Sequence, residues 1–159
     1  MDVCLVSDNF QIRLATIAEI ELISWHRARM FQDMSELPAD LFETFRAQSR
    51  DTLQRMFERG EYIGWLASPE NERDHVVAGA GVQLREVPPH PQTNASGKID
   101  IVSGRQAIIQ NVFTEPESRR RGLAALLIKR IIDWTSTPQH SQPLTVFIPS
   151  RMIRSINFE

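Results

Sequence analysis

The segment from Gln106 to Ile148 most constrains the fold, because a strand pattern, a break, a long striped helix and a second apolar run follow one another there. Leu123, Leu127, Ile131 and Trp134 fall on one stripe, with Ala124, Ile128 and Ile132 beside it and Lys129, Arg130 and Asp133 outside. That spacing predicts a helix from Leu123 to about Trp134. Gln106 to Thr114 reads as the strand before it and Glu115-Pro116-Glu117-Ser118 as the break, while Pro138 and Pro143 bracket the helix exit. Leu144 to Ile148 is a short apolar run of the kind buried in the middle of a sheet. A strand, a crossover helix and a further strand make parallel neighbours.

Upstream, Phe10 to Leu14 alternates apolar and polar residues as a half-buried strand does. From Ile17 apolar residues recur at three- and four-residue steps to about Met34, with Arg27 set beside Ala28 inside that pattern. Pro38 opens a second helix, Leu41, Phe42, Phe45, Leu53, Met56 and Phe57 supply its buried face, and Gly60 ends it. Tyr62 to Ala67 and Val76 to Leu84, separated by the turn-prone Ser68 to Asp74, read as a hairpin. Val87 to Arg105 carries Pro88, Pro89, Pro91, Gly97 and Gly104 without a sustained period and is expected to be a long loop. The predicted order is strand, helix, helix, three strands, helix, strand. It gives a mixed α/β (α+β-like) architecture, a mixed central sheet with flanking helices. A chain of 159 residues, 42% of them hydrophobic, suits a single domain spanning residues 1–159.

Ser118-Arg119-Arg120-Arg121-Gly122 stands at the start of the strongest helix. A helix N-terminus offers unpaired N–H groups and the positive end of a dipole, so it stabilises anions and not cations. Three arginines there call for an anion. Gly122 removes a side chain where phosphates would approach the backbone, and Leu123 and Ala124 start the helix without crowding it. The local chemistry reads as a diphosphate cradle; the alternative is a solvated cap whose arginine stems cover apolar surface. Neither G-x-G-x-x-G nor G-x-x-x-x-G-K-[ST] occurs, so a different phosphate-bearing ligand is implied.

The stretch NVFTEPESRRRGLAALL resembles the acetyl-CoA-binding core of the GNAT acetyltransferase superfamily. Arg119, Arg120, Arg121, Gly122, Leu123 and Ala124 match its Q/R-x-x-G-x-G/A signature, and the order of elements matches from about Phe10 to Ile148. The resemblance implies a GNAT-type acyl-CoA N-acyltransferase fold, shortened at the C-terminus, and transfer of acetyl from acetyl-CoA as co-substrate to a primary amine of a small molecule, peptide or antibiotic. It implies coenzyme A pyrophosphate on Arg119, Arg120, Arg121, Gly122, Leu123, Ala124 and Ala125. The preceding strand would splay at a bulge and pair with the pantetheine arm through Val112, Phe113 and Thr114. An N–H exposed there would polarise the thioester carbonyl. Asn111 would orient the acceptor or a water, and Glu115 is the candidate base, with Glu117 beside it. Asp33 and Glu36, in the link between the first two helices, are candidate attractors of a cationic amine.

The family's tyrosine near the thiol has no counterpart in Ser150 to Glu159, and the chain's one tyrosine, Tyr62, falls on another strand as a packing residue. Asn157-Phe158 resembles the Gly-Phe that closes the family's last helix. Either the thiolate leaves unassisted, as its moderate basicity permits, or catalysis is weakened, or a partner copy completes the sheet as a homodimer. A non-catalytic module that binds coenzyme A or acetyl-CoA is the rival reading.

Lys+Arg 18 against Asp+Glu 20 gives a formal net charge of -2, which argues against a nucleic-acid partner. No apolar run approaches the ~20 residues of a membrane span. With no signal-peptide pattern and a single cysteine, Cys4, a cytoplasmic location is expected and a nucleophilic role for that thiol is not. His26, His75, His90 and His140 lack ligand spacing, so no metal is expected. Trp25, Trp65, Trp134, Met30, Met34 and Met56 read as core.

Overall fold

The computed structural model describes residues 9–137 and 144–156; Cys4, Pro138, His140, Pro143, Asn157, Phe158 and Glu159 lie outside them. Among the described residues five strands form one sheet in the order β1 (Phe10–Leu14), β2 (Tyr62–Pro69), β3 (Ala78–Thr93), β4 (Ile99–Thr114) and β5 (Leu144–Phe147). The first four pair antiparallel, and β4 pairs β5 in parallel, as the crossover requires. Among the described residues four α-helices flank the sheet: α1 (Ile20–Asp33), α2 (Phe42–Glu58), α3 (Leu123–Thr135) and α4 (Ser150–Ile156).

Alternation along β2 sets the two faces. Trp65 and Ala67 join Ala80, Val82, Ile109, Leu127 and Ile131 in a core beneath α3. Tyr62 and Leu66 face the other way, toward Ile20 and Ile23 of α1 and Leu53 and Met56 of α2. A third cluster ties Met30 and Phe31 of α1, and Met34 just after it, to Phe113 of β4 and Met152 of α4. The predicted α3 stripe is realised: Leu127 and Ile131 have no exposed surface, and Trp134 packs edge-on against Trp65.

The expectation of a loop over Val87 to Arg105 is corrected. β3 and β4 continue as a two-stranded ribbon, with Gln92 opposite Asp100 and Thr93 opposite Ile99. The prolines mislead because β2 pairs β3 only over Ala78 to Gln83. Beyond that point one edge of β3 is free, where a missing N–H breaks no ladder, and Pro88 and Pro89 fall in a register shift between Val87 and His90. Asn94 closes the turn, its Oδ1 accepting from the N–H groups of Ser96 and Lys98, and Gly97 adopts the positive φ of 82° that the turn requires.

Candidate active site

Two irregularities of β4 create the site. Gly79 pairs with Phe113 and Gly81 with Gln110, so Asn111 and Val112 together oppose Ala80 in a β-bulge. Asn111 takes φ 57°, a conformation asparagine tolerates better than most residues. The second irregularity is the splay: β5 pairs β4 only from Arg105 to Ile108, leaving the rest of β4 with an open edge. Ser155 of α4 reaches that edge and donates to the Val112 carbonyl at 2.8 Å. The Thr114 carbonyl accepts from Arg119 Nε at 2.9 Å. Phe113 alternates to the β3 side, and its ring lies 4.8 Å from that of His26. Of the three residues predicted to meet the pantetheine arm, Val112 and Thr114 thus turn their backbone to the opening and Phe113 does not.

Asn111 is the hub behind the bulge. Its Oδ1 accepts from Arg27 Nη1 at 2.8 Å, and its Nδ2 donates to the Tyr62 hydroxyl at 2.9 Å. Tyr62 is 1% exposed, and burial pushes its phenol up to about 12, so it stays protonated near neutrality. Gly81 makes room for this phenol, since a Cβ there would collide with its oxygen. The amide of Asn111 is therefore engaged at both ends, in positioning the bulge.

At the end of β4 the chain turns through the arginine run into α3. Gly122 caps the helix with φ 76°, Arg120 also has a positive φ of 62°, and among the described residues no side chain caps the helix. The first N–H groups of this thirteen-residue helix accordingly keep their capacity to bind an anion. They open on a cleft of about 160 Å³ lined by Thr114, Arg120, Gly122, Leu123, Ala124 and Ala125, with Ile156 of α4 at its wall. The three arginines separate in role. Arg119 and Arg120 both line the cleft, Arg119 while holding Asp33 at 2.6 Å and the Thr114 carbonyl, and Arg121 is exposed outside its lining. The electrostatic puzzle of the triple arginine is thus partly solved internally. Leu123 and Ala124 bury their side chains in the core and present backbone to the cleft.

The carboxylates singled out in the sequence have partners. Glu115 pairs with Arg29 at 3.0 Å, and Arg29 itself lies over Trp25 and Phe113. Asp33 is taken by Arg119, and Glu36 by Arg151 and Arg154. The expectation that Asp33 and Glu36 attract a cationic amine is therefore corrected: both are neutralised by arginines distant in sequence. Glu117 is exposed.

Sequence reasoning missed Arg27 and Ser155. The signal for Arg27 was an arginine inside the apolar stripe of α1; a serine in α4 gave none. Arg27 also lines a second cleft, of about 330 Å³, on the α1–α2 face of the sheet. Among the described residues no group of histidines, cysteines and carboxylates is placed to hold a metal ion, and no helix is long and apolar enough to cross a membrane.

Comparison with known proteins agrees with this geometry. The profile of the Acetyltransferase (GNAT) family matches residues 18–146. A GCN5-related N-acetyltransferase from Ralstonia eutropha JMP134 superposes with a TM-score of 0.71 at 23% identity, over 91% of this chain and 85% of that one. A predicted acetyltransferase with acetyl-CoA from Clostridium acetobutylicum gives 0.66 at 19% identity, over 93% and 86%. An aminoglycoside acetyltransferase from an uncultured soil metagenomic sample, in complex with sisomicin, gives 0.54 at 13% identity, over 92% and 80%. A comparison with curated protein sequences finds no match. With a glycine-led helix cradle, a bulged and splayed strand beside it, and a family profile over most of its length, the chain belongs to the acetyltransferase (GNAT) family of acyl-CoA-dependent acetyltransferases.

Proposed function

We propose that the protein transfers acetyl from acetyl-CoA directly to a primary amine of a small molecule or peptide. The observation that carries this reading is the uncapped N-terminus of α3 opening on a cleft that shares Thr114 with the open edge of β4. A pyrophosphate fits those N–H groups, and Arg120 adds a positive charge at the rim. A pantetheine arm fits the free edge of a strand, as an added strand would. When bound, acetyl-CoA supplies the activated acetyl group.

The chain's residues then act mainly by position. The Val112 N–H meets negative charge as it develops on the carbonyl oxygen, which is worth more there than in water because the bulge is buried. Asn111 and Tyr62 hold the bulge that aims this N–H. As the amine nitrogen bonds to the acetyl carbon, the carbon–sulfur bond breaks and the amine loses a proton to water. Glu115, paired with Arg29, serves to fix α1 to the end of β4 rather than to collect that proton. A thiol of ordinary acidity near 8.5 leaves as thiolate without an acid.

The engagement of Glu115 and the burial of Tyr62 also favour a second reading, a module that binds acetyl-CoA without turning it over. Thiol release measured across a panel of amines separates the two. Acetyl transfer requires release that depends on the amine and an acetylated product of matching mass; release indifferent to every amine contradicts it.

A further inference from the structure

Among the described residues Arg27 lacks the carboxylate partner that most other partly buried arginines have. Arg13 pairs with Glu19, Arg29 with Glu115, Arg46 with Glu21 and Glu43, and Arg119 with Asp33. Arg27 has no carboxylate within ion-pair distance among the described residues. Its guanidinium makes one hydrogen bond, through Nη1 to Asn111, and lies over the rings of Phe31 at 5.1 Å and Phe45 at 5.8 Å. Burial pulls its pKa down from the ordinary arginine value, but a guanidinium keeps its proton all the same. A half-buried cation without a counter-charge is costly unless an anion completes it.

The cleft beside it has the composition to admit one. Besides Arg27 its polar lining is Gln48, Ser49, Thr52, Gln83 and Gln110, all neutral and all able to donate, and among the described residues no acid lines it. Gln110 Nε2 donates to Gln83 Oε1 at 2.7 Å, leaving the Gln83 amide nitrogen as a further donor. With Nη1 held by Asn111, the Nε and Nη2 edge of Arg27 remains, a fork that matches the two oxygens of a carboxylate. Asn111 is hydrogen-bonded to Arg27 and peptide-linked to Val112, so an anion on Arg27 lies one residue from the N–H proposed to meet the reacting carbonyl. A volume of about 330 Å³ is at the small end of ligand pockets. The neutralised Asp33 and Glu36 remove the acidic groups that a polycationic acceptor would need.

We propose that Arg27 receives the carboxylate of the acetyl acceptor, which is a small amino carboxylic acid presenting its amine to the bulge of β4. The inference rests on the transferase reading above and adds the acceptor's chemical class.

The test compares thiol release from acetyl-CoA by the full chain with the common amino acids, their carboxamides, polyamines and aminoalkyl phosphates. The acids should exceed their carboxamides in kcat/KM by roughly ten- to a hundredfold, the usual worth of a charge-assisted pair. In Arg27→Gln that ratio should collapse toward one, and in Arg27→Lys it should be partly kept. A merely structural arginine would lower acids and carboxamides together. Carboxamides, polyamines or phosphates that match or surpass the acids in the wild type overturn the inference while leaving the transferase reading intact, as does an unchanged ratio in Arg27→Gln. If no amine of any class releases thiol, the transferase reading fails. Calorimetry on the coenzyme A-loaded chain then decides: binding of acids but not carboxamides, lost in Arg27→Gln, upholds the carboxylate site, and equal or absent binding overturns it.

Discussion

His26 lies on α1 at 2% exposure, its ring near that of Phe113 and its Nε2 without a hydrogen-bond partner among the described residues. Burial first, and the nearby Arg29 second, pull its pKa from 6.5 down to about 3. The sign follows from linkage. In the unfolded chain the imidazole takes a proton below about pH 6.5, whereas in the folded chain it stays neutral until about pH 3. The unfolded state therefore binds the extra proton in that window, and stability falls as pH falls, by about 1.4 kcal/mol per unit. Two units, from 6.5 to 4.5, correspond to about 3 kcal/mol, a large part of the stability of an ordinary domain. Glu19, whose hydrogen bond from Arg13 holds its carboxyl below the usual value of 4.5, loses its contribution only at lower pH, so the window reports on the histidine. Urea unfolding at pH 7 and pH 4.5 measures the effect, with His26→Leu as comparison because it keeps apolar bulk and removes the titrating ring. The wild type should lose about 3 kcal/mol more than the variant between the two pH values. Equal losses in both, or a His26 imidazole resonance titrating near 6.5 in the folded protein, would show that burial does not hold this ring neutral.

Two further predictions concern the groups around the bulge. Tyr62→Phe leaves the buried Asn111 Nδ2 without its acceptor and should cost about 1–3 kcal/mol, read as a melting-temperature drop of roughly 2–4 °C for each kcal/mol. The pH profile of kcat/KM should keep its shape, since a phenol at about 12 does not titrate in the working range; loss of a basic limb would make Tyr62 the missing acid. Glu115→Gln should change kcat by less than about threefold, because the side chain acts as Arg29's partner and not as the base. A fall of a hundredfold or more, relieved at high pH, would restore Glu115 to the chemistry.

What the sequence disclosed and what it hid divide along physical lines. The α3 stripe, the strand before it and Gly122 at the junction were visible because periodicity and backbone freedom are local properties. The positive φ of Asn111 and the exact place of the bulge were not, although asparagine is a residue that accepts such a conformation. The Val87 to Arg105 ribbon was hidden because its prolines are harmless only where β2 no longer pairs, a fact of tertiary register. The largest misreadings concern charge. Asp33 meets Arg119 across 86 residues and Glu36 meets Arg154 across 118, and no local pattern announces such pairs. Arg27 inside an apolar stripe was the one legible clue to the second cleft.

Calorimetric titration of acetyl-CoA into the wild type and Gly122→Glu asks whether the N-terminus of α3 is a pyrophosphate cradle. A Cβ at position 122 meets nothing within 4 Å, so the variant places a carboxylate in the cradle at the cost only of a strained positive φ. Circular dichroism on both proteins confirms that the variant is folded. The wild type should bind stoichiometrically, and the folded variant should lose at least tenfold in affinity. Equal affinity in the two proteins, or no binding by the wild type, would contradict the cradle.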